Sequence, residues 1–139
     1  MAYEIVEDFF MNRIDAGKIF NFMERSDYLF LYNIQKCIED SSDEKVYMSE
    51  LAEQMKLSII ETSRSVKNLE DKGYVSWRTD ENKERTFVKL TSKAKEAMAR
   101  QNEIMEKAYQ KILSDISDDE IKQTISTLGK IREIIKTVY

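Results

Sequence analysis

The sequence predicts a mainly helical protein with one small antiparallel β-hairpin, on three observations. Proline is absent and glycine occurs only three times in 139 residues, so helices can run long without an interior breaker. Apolar residues recur at spacings of three and four through most of the chain, the period of helices with one buried face. Between residues 74 and 91 that period gives way to a rough alternation rich in β-branched and aromatic residues, the pattern of two short strands. Hydrophobic residues make up 42% and charged residues 35%, enough for one core beneath a well-solvated surface.

Residues 2 to about 23 read as a helix with an apolar stripe of Ile5, Val6, Phe9, Phe10, Ile14 and Phe20, loosened near Gly17. Ser26 reads as the N-cap of a second helix, "DYLFLYNIQKCIE", which is apolar on nearly every side near its start and therefore central. "DSSDEK" is a polar loop and "VYM" a very short strand. Ser49 reads as the cap of a short helix, "ELAEQMK", closed by Leu57. Ser58 opens the next helix with Glu61 three residues on, a capping box, and Gly73 supplies its stop after Lys72.

On that helix Val66 and Leu69 face inward, joined by Ile59 or Ile60, while Thr62, Ser63, Arg64, Lys67 and Asn68 lie largely on the other side. "YVSWRT" and "RTFVKLT" pair around the charged tip "DENKE". Thr91 or Ser92 caps a long helix to about Leu113, with Ala94, Ala97, Met98, Ile104, Met105, Ala108 and Ile112 on its apolar side. "SDDE", residues 117–120, opens the last helix, where Ile121, Ile125, Leu128, Ile131, Ile135 and Val138 form a seam.

Absent residue types bound the function. There is no histidine, which removes the usual general base and the commonest metal ligand, and Cys37 is the only cysteine, so a Cys-based zinc site and an internal disulfide are excluded. No glycine-rich phosphate loop is present, and no run of about 18 uncharged apolar residues spans a membrane. The first residues lack a basic n-region. A cytoplasmic protein that is not an enzyme and carries no cofactor is the expectation.

A short helix, a tight turn, a second helix with a polar outer face and a strand hairpin make a winged helix-turn-helix. The charge distribution marks what this unit meets. The chain carries −4 overall, yet residues 56 to 95 hold ten Lys and Arg against six Asp and Glu, a net of +4 between acidic flanks. A basic segment in an acidic chain fits contact with phosphates, and double-stranded DNA is the expected partner. A helix in the major groove presents donors to base edges. Arg64 suits guanine, Lys67 phosphate or guanine, Asn68 adenine, and Thr62 and Ser63 offer hydroxyls to bases or phosphates. Ser58 and Ile60 at the helix start, and Arg78, Lys83 and Arg85 on the hairpin, complete the candidate DNA-binding set. A winged helix that binds a protein instead of DNA is the alternative, because a fold alone does not settle function.

"SELAEQMKLSIIETSRSVKNLEDKGYV", followed by "VKLT" and a long helix, resembles the MarR family of bacterial winged helix-turn-helix regulators. The resemblance runs over essentially the whole chain in length and helix order. It implies a homodimerisation helix at residues 1–25, a DNA-binding domain at 26–91 and dimerisation helices at 92–139. Phe9, Phe10, Ile121, Ile125, Leu128 and Ile135 are the dimerisation candidates. It also implies a pseudo-palindromic operator, most often repression, and release from DNA by a small phenolic or lipophilic effector or, in some members, by thiol oxidation.

This chain departs from the family pattern in the wing. Asp80 matches the family's wing Asp, but the position of the minor-groove Arg holds Glu84, flanked by Lys83 and Arg85. Either Arg85 or Lys83 substitutes, or this wing contacts phosphates alone. Thiol-sensing members place their cysteine earlier than Cys37, which reads as packing. Trp77 reads as hairpin packing. Phe20, Phe22, Tyr28, Phe30 and Tyr32 read as core or as the lining of an effector cavity.

Overall fold

The computed structural model describes residues 20–138. Residues 1–19 of the first predicted helix, with Phe9 and Phe10, lie outside the described residues, and its expected end at residues 20–23 is a bend and not helix. In chain order the elements are α1 (Arg25–Glu39), β1 (Val46–Tyr47), α2 (Met48–Met55), α3 (Ile59–Asp71), β2 (Val75–Thr79), β3 (Thr86–Leu90), α4 (Ser92–Ser114) and α5 (Asp118–Val138). They belong to two compact units, Met1–Asn102 and Glu103–Tyr139.

The core of the first unit is built where the apolar periods of its elements converge. Leu31 and Ile34 of α1, Val46 of β1, Leu51 of α2, Val66 and Leu69 of α3, and Val88 of β3 are all essentially inaccessible to solvent. As expected from its sequence, α1 is central, and Tyr28 and Phe30 are also buried on it. Ala94 and Ala97 bury one face of the start of α4, where small side chains allow close approach. The sheet has the order β1-β3-β2, with both pairs antiparallel. Tyr47 lies opposite Phe87 on one side of β3, and Arg78 lies opposite the same residue on the other.

Two predicted caps are corrected. Ser26 lies inside α1, whose N-cap position is held by Glu24 without a side-chain cap bond. The first turn is stabilised instead by Asp27, a buried acid near the positive end of the helix dipole. Its carboxylate accepts a hydrogen bond of 2.6 Å from the Lys72 ammonium just past α3. Ser49 lies inside α2, which begins at Met48 straight out of β1. Tyr47 holds the N-cap position in extended conformation, and its pairing with Phe87 in the sheet takes the place of a side-chain cap.

In the second unit Ser117 accepts a hydrogen bond from the Glu120 amide at 3.2 Å, capping the start of α5 as the sequence indicated. Met105 is buried, and Ile121 and Ile131 are half-buried. The rest of the seam is open to solvent: Ile125, Leu128, Ile135 and Val138 are exposed, as are Ile134 on α5 and Ile112 on α4. No helix among the described residues is long and apolar enough to cross a membrane.

Candidate nucleic-acid interface

The turn between α2 and α3 is set by backbone geometry. Lys56 adopts a left-handed conformation, φ 56°, so that its amide reaches the Glu53 carbonyl at 3.1 Å and the Leu57 amide reaches Ala52 at 3.0 Å. These are the paired bonds that terminate a helix with one left-handed residue. Ser58 then opens α3 with a complete capping box. Its Oγ accepts from the Glu61 amide, and Glu61 Oε2 accepts from the Ser58 amide, both at 3.1 Å. The Ser58 amide, its hydroxyl and the cation of Arg64 hold the Glu61 carboxyl below its ordinary pKa, so it is firmly ionised at the positive end of the helix.

The far end of α3 is held by three elements. Gly73 takes φ +82°, the left-handed conformation that favours glycine, with its amide on the Glu70 carbonyl and the Tyr74 amide on Leu69. Lys93 Nζ donates to the Lys72 carbonyl at 2.6 Å, and the Thr91 hydroxyl donates to the Gly73 carbonyl at 2.7 Å. The same hydroxyl accepts from the Ala94 amide, which settles Thr91 as the cap of α4. Lys72 itself is drawn to Asp27, with Glu24 at 3.8 Å.

With both ends held, the faces of α3 are defined by what is buried. Thr62, Val66 and Leu69 point into the core. Thr62 is therefore a correction: placed among the DNA-contacting residues by sequence, it is fully buried. Its hydroxyl is satisfied by the Ser58 carbonyl at 2.8 Å, the local bond that lets a threonine sit inside a helix. The complementary correction concerns Ile59 and Ile60. Neither joins the core; they are 51% and 71% exposed.

The outward face carries Ile60, Arg64, Lys67 and Asn68, all exposed, with Ser63 half-buried at its edge. Lys67 Nζ lies 3.0 Å from Asp71 and 3.8 Å from Glu70, and the Asp71 carboxylate raises its pKa. Arg64 makes no ion pair within 4.0 Å among the described residues. Ser58 is exposed, but its hydroxyl is engaged with Glu61.

The wing is tied to the body by contacts far apart in sequence. The Arg85 guanidinium lies over the Tyr47 ring at 3.6 Å, and its Nη2 is 3.5 Å from both Glu50 and Ser49. The Tyr47 hydroxyl donates to Asp80 at 3.0 Å, and Lys45 Nζ lies 3.5 Å from the other Asp80 oxygen and 4.6 Å over the Phe87 ring. Lys83 occupies the tip with φ 58°, exposed beside Glu81 and Glu84. Arg78 is exposed, donating to its own Trp77 carbonyl and approaching Glu70 at 3.9 Å. Trp77 is half-buried in the hairpin, and its amide donates to Glu70, which ties β2 to α3. Lys45, Tyr47 and Glu50 escaped sequence reasoning. They lie in the polar loop, the very short strand and the short helix that the sequence does indicate, but nothing local marks them as wing anchors.

No family model matches the sequence. Solved structures do resemble the chain. Staphylococcus aureus MarR, in complex with salicylate and kanamycin, aligns with a TM-score of 0.74 over 98% of this chain and 93% of its own, at 19% identity. Streptococcus pneumoniae FabT, in complex with DNA, aligns with a TM-score of 0.71 over 99% and 97%, at 17% identity. A mutant E. coli MarR complexed with operator DNA gives 0.63 over 82% and 79%, also at 17% identity. This is the MarR fold.

On the MarR fold of this chain, Cys37 is half-buried in α1. Burial raises its thiol pKa, and the nearby carboxylates of Glu50 and Asp40 raise it further. Of the α1 aromatics and their neighbours, Tyr28 and Phe30 are core, whereas Phe22 and Tyr32 are more than 40% exposed. Tyr28 stacks on Tyr32 with ring centres 6.4 Å apart. Among the described residues no group of three or more acidic or Cys side chains is placed to hold a metal ion.

Proposed function

We propose that the chain is a sequence-specific DNA-binding transcription regulator, acting in the cytoplasm as a homodimer on a pseudo-palindromic operator and repressing until a small phenolic or lipophilic effector binds. The outward face of α3 carries this reading. It is clamped at both ends, so it enters a groove without further ordering, and it presents an exposed arginine that makes no ion pair within 4.0 Å among the described residues. Arg64 reads a base, Asn68 reads or hydrogen-bonds beside it, and Lys67 meets phosphate. Two proteins of the same fold were solved with DNA, and the effector reading is supported by salicylate on Staphylococcus aureus MarR and 2,4-dichlorophenol on an organohalide-sensing regulator.

The homodimer rests on α5. Ile125, Leu128 and Ile135 lie on one seam and expose their side chains, together with Ile112 and Leu113 of α4, more apolar surface than two amphipathic helices leave open when they are complete. The dimer places two copies of α3 in successive major grooves, about 34 Å apart. An effector acts by favouring a spacing of the two helices that no longer matches.

The test is fluorescence anisotropy of the full chain with labelled DNA from upstream of its own gene, against random duplex, at two salt concentrations. Tight binding that resists competitor and weakens with salt is the expected result. Equal, weak, salt-insensitive binding to both duplexes overturns the reading in favour of a winged helix that binds protein.

A further inference from the structure

The least expected side chain on the outward face of α3 is Ile60. A helix advances about 100° per residue, so a buried stripe of Thr62, Val66 and Leu69 puts Ile60, Arg64 and Lys67 near the middle of the opposite face. Ile59, turned back toward the Val66 side, is the less exposed of the two isoleucines. Ile60 is thus the most outward of the pair, with 71% of its surface in water. It is the second residue after the cap, where an acidic side chain suits the helix dipole better and an isoleucine adds nothing to helix stability. Its neighbour Glu61 is pinned back on Ser58, with its carboxylate engaged by the Ser58 amide and hydroxyl.

An apolar side chain at the start of a groove-reading helix has one apolar counterpart in the major groove, the C5-methyl group of thymine. Arg64 lies one turn further along the same face, with a guanidinium suited to the O6 and N7 of guanine. The pair therefore forms a composite reader, a methyl contact followed by a bidentate donor. We propose that Ile60 is a specificity-determining residue that reads the 5-methyl group of a thymine within a few base steps of the guanine read by Arg64. This deepens the proposed DNA-reading function and rests on it.

The experiment separates the two. The full chain is used to select preferred duplexes from a random pool, and each thymine in the selected site is then replaced singly by deoxyuridine, which removes the methyl group and leaves base pairing intact. Losing one buried methyl is worth about a four-fold loss of affinity, on the value of a buried CH₂. The expected result is such a loss at one thymine per half-site for the native chain, and none at that position for Ile60→Ala, while Ile59→Ala keeps the native sensitivity. Selection that works, with no deoxyuridine effect or with an effect that persists in Ile60→Ala, overturns the thymine contact and leaves the regulator standing. A pool that yields no preferred sequence overturns both, and points to a protein partner for the exposed isoleucine.

Discussion

The Arg85 guanidinium sits 3.6 Å from the centre of the Tyr47 ring, with its terminal nitrogen 3.5 Å from the Glu50 carboxylate. The cation beside the wing tip is thus turned back onto the first strand and the second helix. Arg85 stays half exposed in that position, and beyond it the charged residues of the tip are Glu81, Lys83 and Glu84, an excess of one negative charge. A narrow minor groove repels such a tip.

The first prediction concerns that anchor. A cation over an aromatic face contributes about 0.5–1 kcal/mol at an exposed site. Tyr47→Phe keeps the ring and loses the bond to Asp80; Tyr47→Leu loses both. Hydrogen exchange of the amides of residues 79–86 is expected to rise slightly in the first variant and clearly in the second and in Arg85→Ala. Unchanged exchange in Arg85→Ala, combined with a large drop in DNA affinity, would show that Arg85 leaves Tyr47 to enter the groove.

The second prediction sets Arg64 against Asp71. Arg64→Ala is expected to cost about 1–3 kcal/mol on the preferred site and much less on random DNA, because it removes a base reader. Asp71→Asn releases Lys67 from its 3.0 Å partner and removes a negative charge from the α3 surface. Affinity for any duplex is expected to rise, with a salt dependence steeper by up to about 0.9 in the log–log slope, the value of one phosphate contact. Titrations at three salt concentrations check both, and a uniform loss for Arg64→Ala on all sequences moves that residue to the backbone.

A third follows from the capping box. Ser58→Ala is expected to cost about 1 kcal/mol of stability at neutral pH, read by denaturant unfolding. Glu61 has its folded pKa below the unfolded value, so its contribution is present above the ordinary carboxylate range and fades as the pH falls through the folded value. The gap in stability between the native chain and Glu61→Gln should therefore narrow as the pH is lowered from 7 to below about 4.3. A gap that widens on acidification contradicts the assignment.

The dimer seam gives the fourth. Leu128 and Ile135 are seven residues apart on α5, two turns along one face, and both are half exposed. The double variant Leu128→Asp, Ile135→Asp is expected to sediment as a monomer and to lose most of its affinity for a palindromic site, while far-ultraviolet circular dichroism still reports helix. A native chain that is already monomeric at micromolar concentration rejects the seam as an interface.

The fifth concerns Cys37. A thiol whose pKa is raised by burial and by Glu50 and Asp40 holds little thiolate at neutral pH, and thiolate is the reactive form. Alkylation at pH 7 is expected to be slow, and peroxide should leave the DNA affinity of the native chain equal to that of Cys37→Ser. Peroxide that weakens the native chain alone would make Cys37 a sensor.

Features decided within a few residues were legible in the sequence. The Ser58–Glu61 box, the Gly73 stop, the Ser117 cap and the alternating hairpin strands each depend on one turn of backbone and on side chains that reach no further, so residue types at fixed spacing specify them. The wide apolar surface of α1 marked a central helix for the same reason.

Tertiary structure decided the rest. The phase of α3 could be read from its pattern only to within a residue. Packing against the core chose Thr62 over Ile59 and Ile60 as the buried member, and a threonine is tolerated there because its hydroxyl is satisfied by the carbonyl four residues back. Ser26 and Ser49 are good capping residues in the wrong place, because a buried acid sets the start of α1 and a strand pairing sets the start of α2. The pairs Asp27–Lys72 and Tyr47–Asp80 join residues 45 and 33 positions apart. Each partner alone looks like any polar surface residue, and only the folded chain brings the donor and its carboxylate within reach of one another.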